Sequence, residues 1–139
     1  MSSTNTITTP AQDTMALVGR VLIALLFIPA GFGKLTGFAG TVGYITSAGL
    51  PLPQVGAVIA VVVELLFGLM LLVGFKTRPV ALIMALFTVA TAVFFHNFWA
   101  MPADKVMANQ MNFFKNLAIA GGLLAYAAFG AGRFSIDKK

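Results

Sequence analysis

The chain has 139 residues, of which 59% are hydrophobic and 9% charged, against roughly 25% charged in an ordinary globular domain. So few charges cannot coat a water-facing surface, and the length leaves room for one domain. The net charge of +5 does not point to nucleic acid, because the nine basic residues are scattered rather than set along a stripe, and the absence of cysteine excludes disulfides, thiol redox centres and Cys-held iron–sulfur or zinc sites.

Residues 1–13, rich in Ser and Thr and without apolar periodicity, read as a disordered tail. The folded part is expected over 14–134, an all-α domain of four membrane-spanning helices at about 15–35, 54–75, 79–98 and 111–132, followed by a basic tail at 135–139. No Lys or Arg precedes Arg20, so the first apolar run predicts an uncleaved span rather than a signal peptide. Pro29, Gly31 and Gly33 are expected to kink or loosen its second half. Arg20 and Lys34, which bound its uncharged interior, read most simply as snorkelling to the headgroups.

The connection from Thr36 to Pro53 is long and uncharged. Phe38, Val42 and Ile45 recur at helical spacing before the stop formed by Gly49 and Pro51, which predicts a short interfacial or re-entrant helix, either a cap over a cavity or a plain lid. The second span, within QVGAVIAVVVELLFGLMLLVGFKTRP, carries Glu64 near its middle. A charge at such a depth costs about 2.5–3.5 kcal/mol on insertion scales and faces a bundle interior or an aqueous cavity. The third span has no interior charge, only Thr88 and Thr91, whose hydroxyls are expected to bond back to helix carbonyls. It ends in FFHNFW, where His96, Asn97 and Trp99 sit among phenylalanines. That cluster reads first as an interfacial aromatic belt and second as a ligand-stacking surface. Residues 100–110 read as another short surface helix. In MNFFKNLAIAGGLL, Asn112, Lys115, Asn116 and Ile119 fall on one face of the fourth span, and Gly121 and Gly122 would permit close helix approach.

Lys76, Arg78, Arg133, Lys138 and Lys139 lie on one side of these spans, with Lys34 and Lys105 on the other, so the positive-inside rule places both termini in the cytoplasm. Lys34, His96, Asn97, Asn112, Lys115 and Asn116 then lie toward the outer leaflet, with Glu64 about 8–10 Å deeper. Lys115 is the first expected ion-pair partner of Glu64, and Arg20 the second. Two readings remain open for this polar cluster. It could hold the helices in register through buried hydrogen bonds, or it could line a binding pocket. The pocket reading takes Lys34, Glu64, His96, Asn97, Trp99, Asn112, Lys115 and Asn116 as ligand-binding, and a quinone or phenolic compound fits, its oxygens meeting polar side chains and its ring meeting aromatic ones. His96 could exchange a proton there. A metal is not expected, because this lone histidine has no second ligand at metal-binding spacing. No nucleotide-binding or nucleophile motif occurs, and no catalytic residue is assigned.

Taken together, GRVLIALLFIPAGFGKLTGF, VVVELLFGLMLLVGFKTRP, FFHNFW and NFFKNLAIAGG resemble the DoxX family of small bacterial inner-membrane proteins, over about residues 19–139. The resemblance implies a four-helix bundle in the plasma membrane, with the family pattern falling on Arg20, Lys34, Glu64, Lys115 and Asn116. Some members are similar to subunits of thiosulfate:quinone oxidoreductase, and others are associated with oxidative-stress or quinone and catechol detoxification. The expectation is therefore a membrane component of a quinone-linked oxidoreductase or detoxification system that binds a quinone without covalent attachment. With no cysteine, haem-ligand pair or flavin motif, electrons would travel through a soluble oxidoreductase partner. The bilayer and a second copy of the chain are the other expected partners. Two alternatives stand beside this one: a non-enzymatic scaffold or assembly subunit, and a small proton-coupled transporter using Glu64 and Lys115.

Overall fold

The computed structural model describes residues 7–139 and, among them, helices joined by turns and loops with no strand. Residues 1–6, the first part of the expected tail, lie outside the described residues. Helix α1 (Pro10–Thr36) begins ahead of the expected start near Met15. A capping box explains why: the Gln12 N–H donates to Thr9 Oγ1 at 3.2 Å, and the Thr9 N–H donates to Gln12 Oε1 at 2.8 Å. Pro10 adds a residue already fixed at a helical φ. The helix continues through Pro29 without a break.

Helix α2 (Phe38–Ser47) is the short helix expected in the first connection, and it buries Ile45. The second long rod is α3 (Pro53–Val61), a π-helical stretch (Val62–Leu66) and α4 (Phe67–Val73). Glu64 sits in the middle of the π stretch. Helix α5 (Thr77–Phe95) and a 3-10 turn (Phe98–Ala100) follow. Helix α6 (Ala103–Phe129) then absorbs most of the expected surface helix into one continuous rod.

Three rods are long and apolar enough to cross a membrane: Pro10–Thr36, Pro53–Val73 and Thr77–Ala100, with mean hydropathies of 2.1, 2.7 and 2.0. Large apolar side chains such as Leu22, Leu25 and Leu86 point outward, as bilayer-facing residues do. The chain is a multi-pass membrane protein. Leu71, Ala81, Met84 and Leu123 are fully buried and form the core, with Phe27 and Val63 beside them. Helix α6 packs chiefly along α5, whereas α1 packs on the π stretch and α4. No backbone comes close to Gly121 or Gly122, so the small residues there do not mediate the tight approach their presence suggests.

The end of the bundle at which α1 begins is closed by the last ten residues. Arg20, with no exposed surface, donates to the carbonyls of Leu71, Leu72, Ala131 and Phe134, which ties α1 to the end of α4 and to the C-terminal segment. Its guanidinium is therefore occupied far from Glu64 and does not snorkel. Gly74 makes the turn beside it with φ +70°, a conformation that glycine adopts without penalty. The Ile136 and Asp137 N–H groups donate to Val73 and Gly74 carbonyls at 3.0 and 2.9 Å. The Asp137 carboxylate accepts the Lys76 and Thr77 N–H groups at 2.9 Å each, capping α5. Asp13 accepts the Arg133 N–H at 3.0 Å. The segment read as a basic tail is thus folded onto the bundle.

Candidate functional site

At the opposite end, a cavity of about 370 Å³ opens between α1, α2, α3 with the π stretch, α5 and α6. Its walls are mainly aliphatic and aromatic, including Phe27, Tyr44, Ile59, Phe87 and Phe94. Helix α2 covers it, and Tyr44 stacks on Phe95 with ring centroids 5.2 Å apart at 18°. The expected cap is therefore a wall of the site. A volume in this range holds a small aromatic molecule.

Glu64 supplies the charge. Its side chain is 11% exposed, and the Lys34 ammonium lies 3.0 Å from each carboxylate oxygen. Only Oε1 accepts a hydrogen bond from it, and Oε2 is buried without one. Close backbone contact brings the pair together. An added Cβ on Gly31 would lie 2.5 Å from the Leu65 nitrogen, so α1 rests directly on the π stretch at that point. Lys34 follows one turn later on the same helix. The π stretch places an extra residue in the turn and offsets the neighbouring side chains, a feature common at functional sites.

Lys34, not Lys115 or Arg20, is the partner of Glu64. Helix α6 packs on α5 rather than on the π stretch, and Lys115 is exposed outside the cavity. Of the residues expected to bind a ligand, Lys34, Glu64, His96 and Asn116 line the cavity, whereas Asn97, Trp99, Asn112 and Lys115 do not. Trp99 is 60% exposed and packs edge-on against Phe98 and Phe113, with centroids 5.3 and 5.5 Å away. The belt reading of this cluster agrees with that exposure.

Several lining residues escaped the sequence reading. Thr41 and Tyr44 come from α2, and Thr88 and Thr91 were anticipated only as back-bonding residues. They do back-bond: Thr88 donates to the Met84 carbonyl at 2.7 Å and Thr91 to that of Thr88 at 2.9 Å. Asn116 Nδ2 then donates to Thr91 Oγ1 at 3.2 Å, linking α6 to α5. Behind the cavity, His96 Nδ1 is 3.1 Å from Asn109 Oδ1, and Asn109 Nδ2 donates to the Lys105 carbonyl at 2.9 Å.

The model of the DoxX family matches residues 15–97, which contain Lys34, Glu64 and His96. The chain is 42% identical over 129 residues to inner membrane protein YphA of Escherichia coli strain K12, covering 93% of this chain and 92% of that one. It is 43% identical over 129 residues to inner membrane protein YqjF of the same organism, with coverages of 91% and 92%. A more distant similarity, 26% over 129 residues, covers 93% of this chain but 34% of the ER-derived vesicles protein ERV29 of Saccharomyces cerevisiae. No solved structure matches. With a family model spanning more than half the chain and bacterial relatives matched along nearly their whole length, this protein belongs to the DoxX family.

Proposed function

We propose that the protein binds a quinone-like aromatic molecule in the Lys34–Glu64 cavity, as the membrane component of a quinone-linked oxidoreductase or detoxification system. The observation that carries this reading is an ion pair set in an otherwise apolar and aromatic cavity of ligand size. A charged pair is an expensive way to fasten helices, since well-packed apolar residues often do as well or better. Its position on a cavity wall gives it work that a sealed pair would lack. Access supports binding over transport: the cavity lies at one end, and the other is closed by Arg20 and the C-terminal segment. Electrons, where they move, pass through a soluble partner.

In this reading the protein lies in a bacterial inner membrane, as the names of its bacterial relatives suggest. Helix α6, about 40 Å long at 1.5 Å per residue, crosses as a fourth span despite its polar first half. Both termini are cytoplasmic, and α2 lies at the outer interface.

The test is purification in native lipid followed by mass spectrometry of the extracted small molecules, with Glu64→Gln and Lys34→Met alongside. A quinone retained by the wild type and depleted in both variants is the expected result. No quinone in the wild type, with no uptake of added quinone, would overturn the reading.

A further inference from the structure

The end closed by the C-terminal segment divides its charges between inside and outside. Its two acids, Asp13 and Asp137, are both turned inward. Asp13 is buried, and its Oδ1 accepts the Thr8 hydroxyl at 2.7 Å and the Arg133 N–H at 3.0 Å. The Asp137 carboxylate is taken up by the Lys76 and Thr77 N–H groups. Lys76, Arg78, Arg133, Lys138 and Lys139 are all exposed. Among the described residues the one ion pair between side chains is Lys34–Glu64 at the other end, so none of these cations is matched by an acidic side chain. Residues 1–6 contain no acid that could supply a match.

Two of these cations share a hollow with apolar surface. Arg133 and Lys138 line a second cavity, also of about 370 Å³, together with Thr8, Pro10, Asp13 and Phe134. Two cations against one engaged carboxylate leave it net positive. Beside it, Phe134 and Ile136 are 50% and 59% exposed, although they lie in an otherwise polar segment. The Ile136 N–H donates to the Val73 carbonyl, which sets this segment level with the end of a membrane-crossing rod. At that level apolar side chains meet acyl chains, and Lys or Arg meets phosphate.

We infer that the Arg133–Lys138 cavity binds the headgroup of an anionic phospholipid, with Phe134 and Ile136 against its acyl chains. Charge complementarity selects this partner. A zwitterionic headgroup brings an ammonium to a surface that offers no unengaged acid, whereas an anionic phosphodiester meets cations left without a match. The Arg133 guanidinium can take two phosphate oxygens at once, and Lys138 acts as a point charge. Both residues belong to the segment that closes this end, and the facing wall is the start of α1. A bound lipid therefore bridges the two and stabilises the closed arrangement. The site lies at the opposite end from the Lys34–Glu64 cavity and does not depend on what binds there.

The experiment is native mass spectrometry of the full chain released from nanodiscs made of equal parts phosphatidylglycerol and phosphatidylethanolamine. Phosphatidylglycerol should be enriched at least about fivefold among the lipids that stay bound. Arg133→Gln with Lys138→Gln should bring the two lipids close to parity. The fold should survive that change, because the hydrogen bonds these residues make come from their backbone N–H groups. Lys76→Gln with Arg78→Gln removes the same charge from the same end, outside the cavity, and should keep most of the enrichment. An equal loss in both double variants would mean a diffuse attraction and would overturn the site. Equal retention of the two lipids by the wild type would overturn it as well. Glycerol 3-phosphate separates a lipid headgroup from a free phosphate ester: at millimolar concentration it should leave the bound phosphatidylglycerol in place, and displacement would overturn the assignment to lipid.

Discussion

A Cβ built on Gly31 would lie 2.5 Å from the Leu65 nitrogen and 2.9 Å from the Glu64 carbonyl carbon, both backbone atoms that cannot swing aside. Gly33, two residues on, has open space in the same position. Gly31→Ala should therefore push α1 off the π stretch and destabilise the protein by about 1–3 kcal/mol. Gly33→Ala should be neutral or stabilising by up to about 1 kcal/mol, as a helical Gly-to-Ala change usually is. Thermal unfolding of both variants in one detergent checks the contrast. The ion pair makes a second prediction at this scale. Lys34→Met leaves Glu64 buried without a cation, so it should cost about 1–3 kcal/mol. Adding Glu64→Gln should recover part of the loss. Additive losses in that double-mutant cycle would mean that the two side chains do not interact. Glu64 itself was legible in the sequence, because a midspan acid stands out against an apolar run. Its partner was not. Reach along the membrane normal pointed to Lys115, whereas the deciding fact is which helix touches the π stretch, and Gly31 reveals that only once the backbones are in place.

Elements show the same division. Helix α2 was visible in the spacing of Phe38, Val42 and Ile45, and the long rods in their apolar runs. The π stretch left no mark as such, since Glu64 apart its residues are as apolar as their flanks and no change of period accompanies them. The C-terminal segment misled for a related reason. Its polar composition reads as a solvated tail, but its work is done by backbone groups and by Asp137, whose partners are distant in sequence. Burial pushes the Asp137 carboxyl up, but hydrogen bonds from Thr77 and the Lys76 N–H, together with the Lys139 charge, hold it below the ordinary value of 3.8. The sign follows. A depressed folded value means that the carboxylate stabilises the docked segment above about pH 4 and that this is lost as pH falls through the lowered value. Hydrogen exchange at the Lys76 and Thr77 amides, corrected for intrinsic rates, should be slow at pH 7 and lose protection as the pH falls below the ordinary carboxyl value of 3.8 through the lowered one. Asp137→Asn should lose protection already at pH 7 and show no such transition. Arg20→Lys should also loosen this end, because an ammonium cannot match the planar fork that now serves separate carbonyls, at a cost of about 1–3 kcal/mol for each one left unsatisfied.

For the whole molecule, the two ends have different tasks: one is tied shut by the C-terminal segment, and the other holds a cavity under α2. Because the chain has no cysteine, single substitutions can map this arrangement directly. Ala48→Cys, just after α2, should react with an impermeant maleimide added outside intact spheroplasts, and Lys138→Cys should react only after permeabilisation. The same side for both would contradict the proposed topology. The central claim is that the Lys34–Glu64 cavity is where a quinone-like molecule binds. Its most direct test is photolabelling of the nanodisc-embedded protein with an azidoquinone, followed by peptide mapping. Labels should fall on the cavity wall, at Tyr44, Phe87 or Phe94, and be lost in Lys34→Met and on competition with unlabelled ligand. Labels spread over outward-facing residues such as Leu22 and Leu86, unchanged by competition or by the variant, would contradict it.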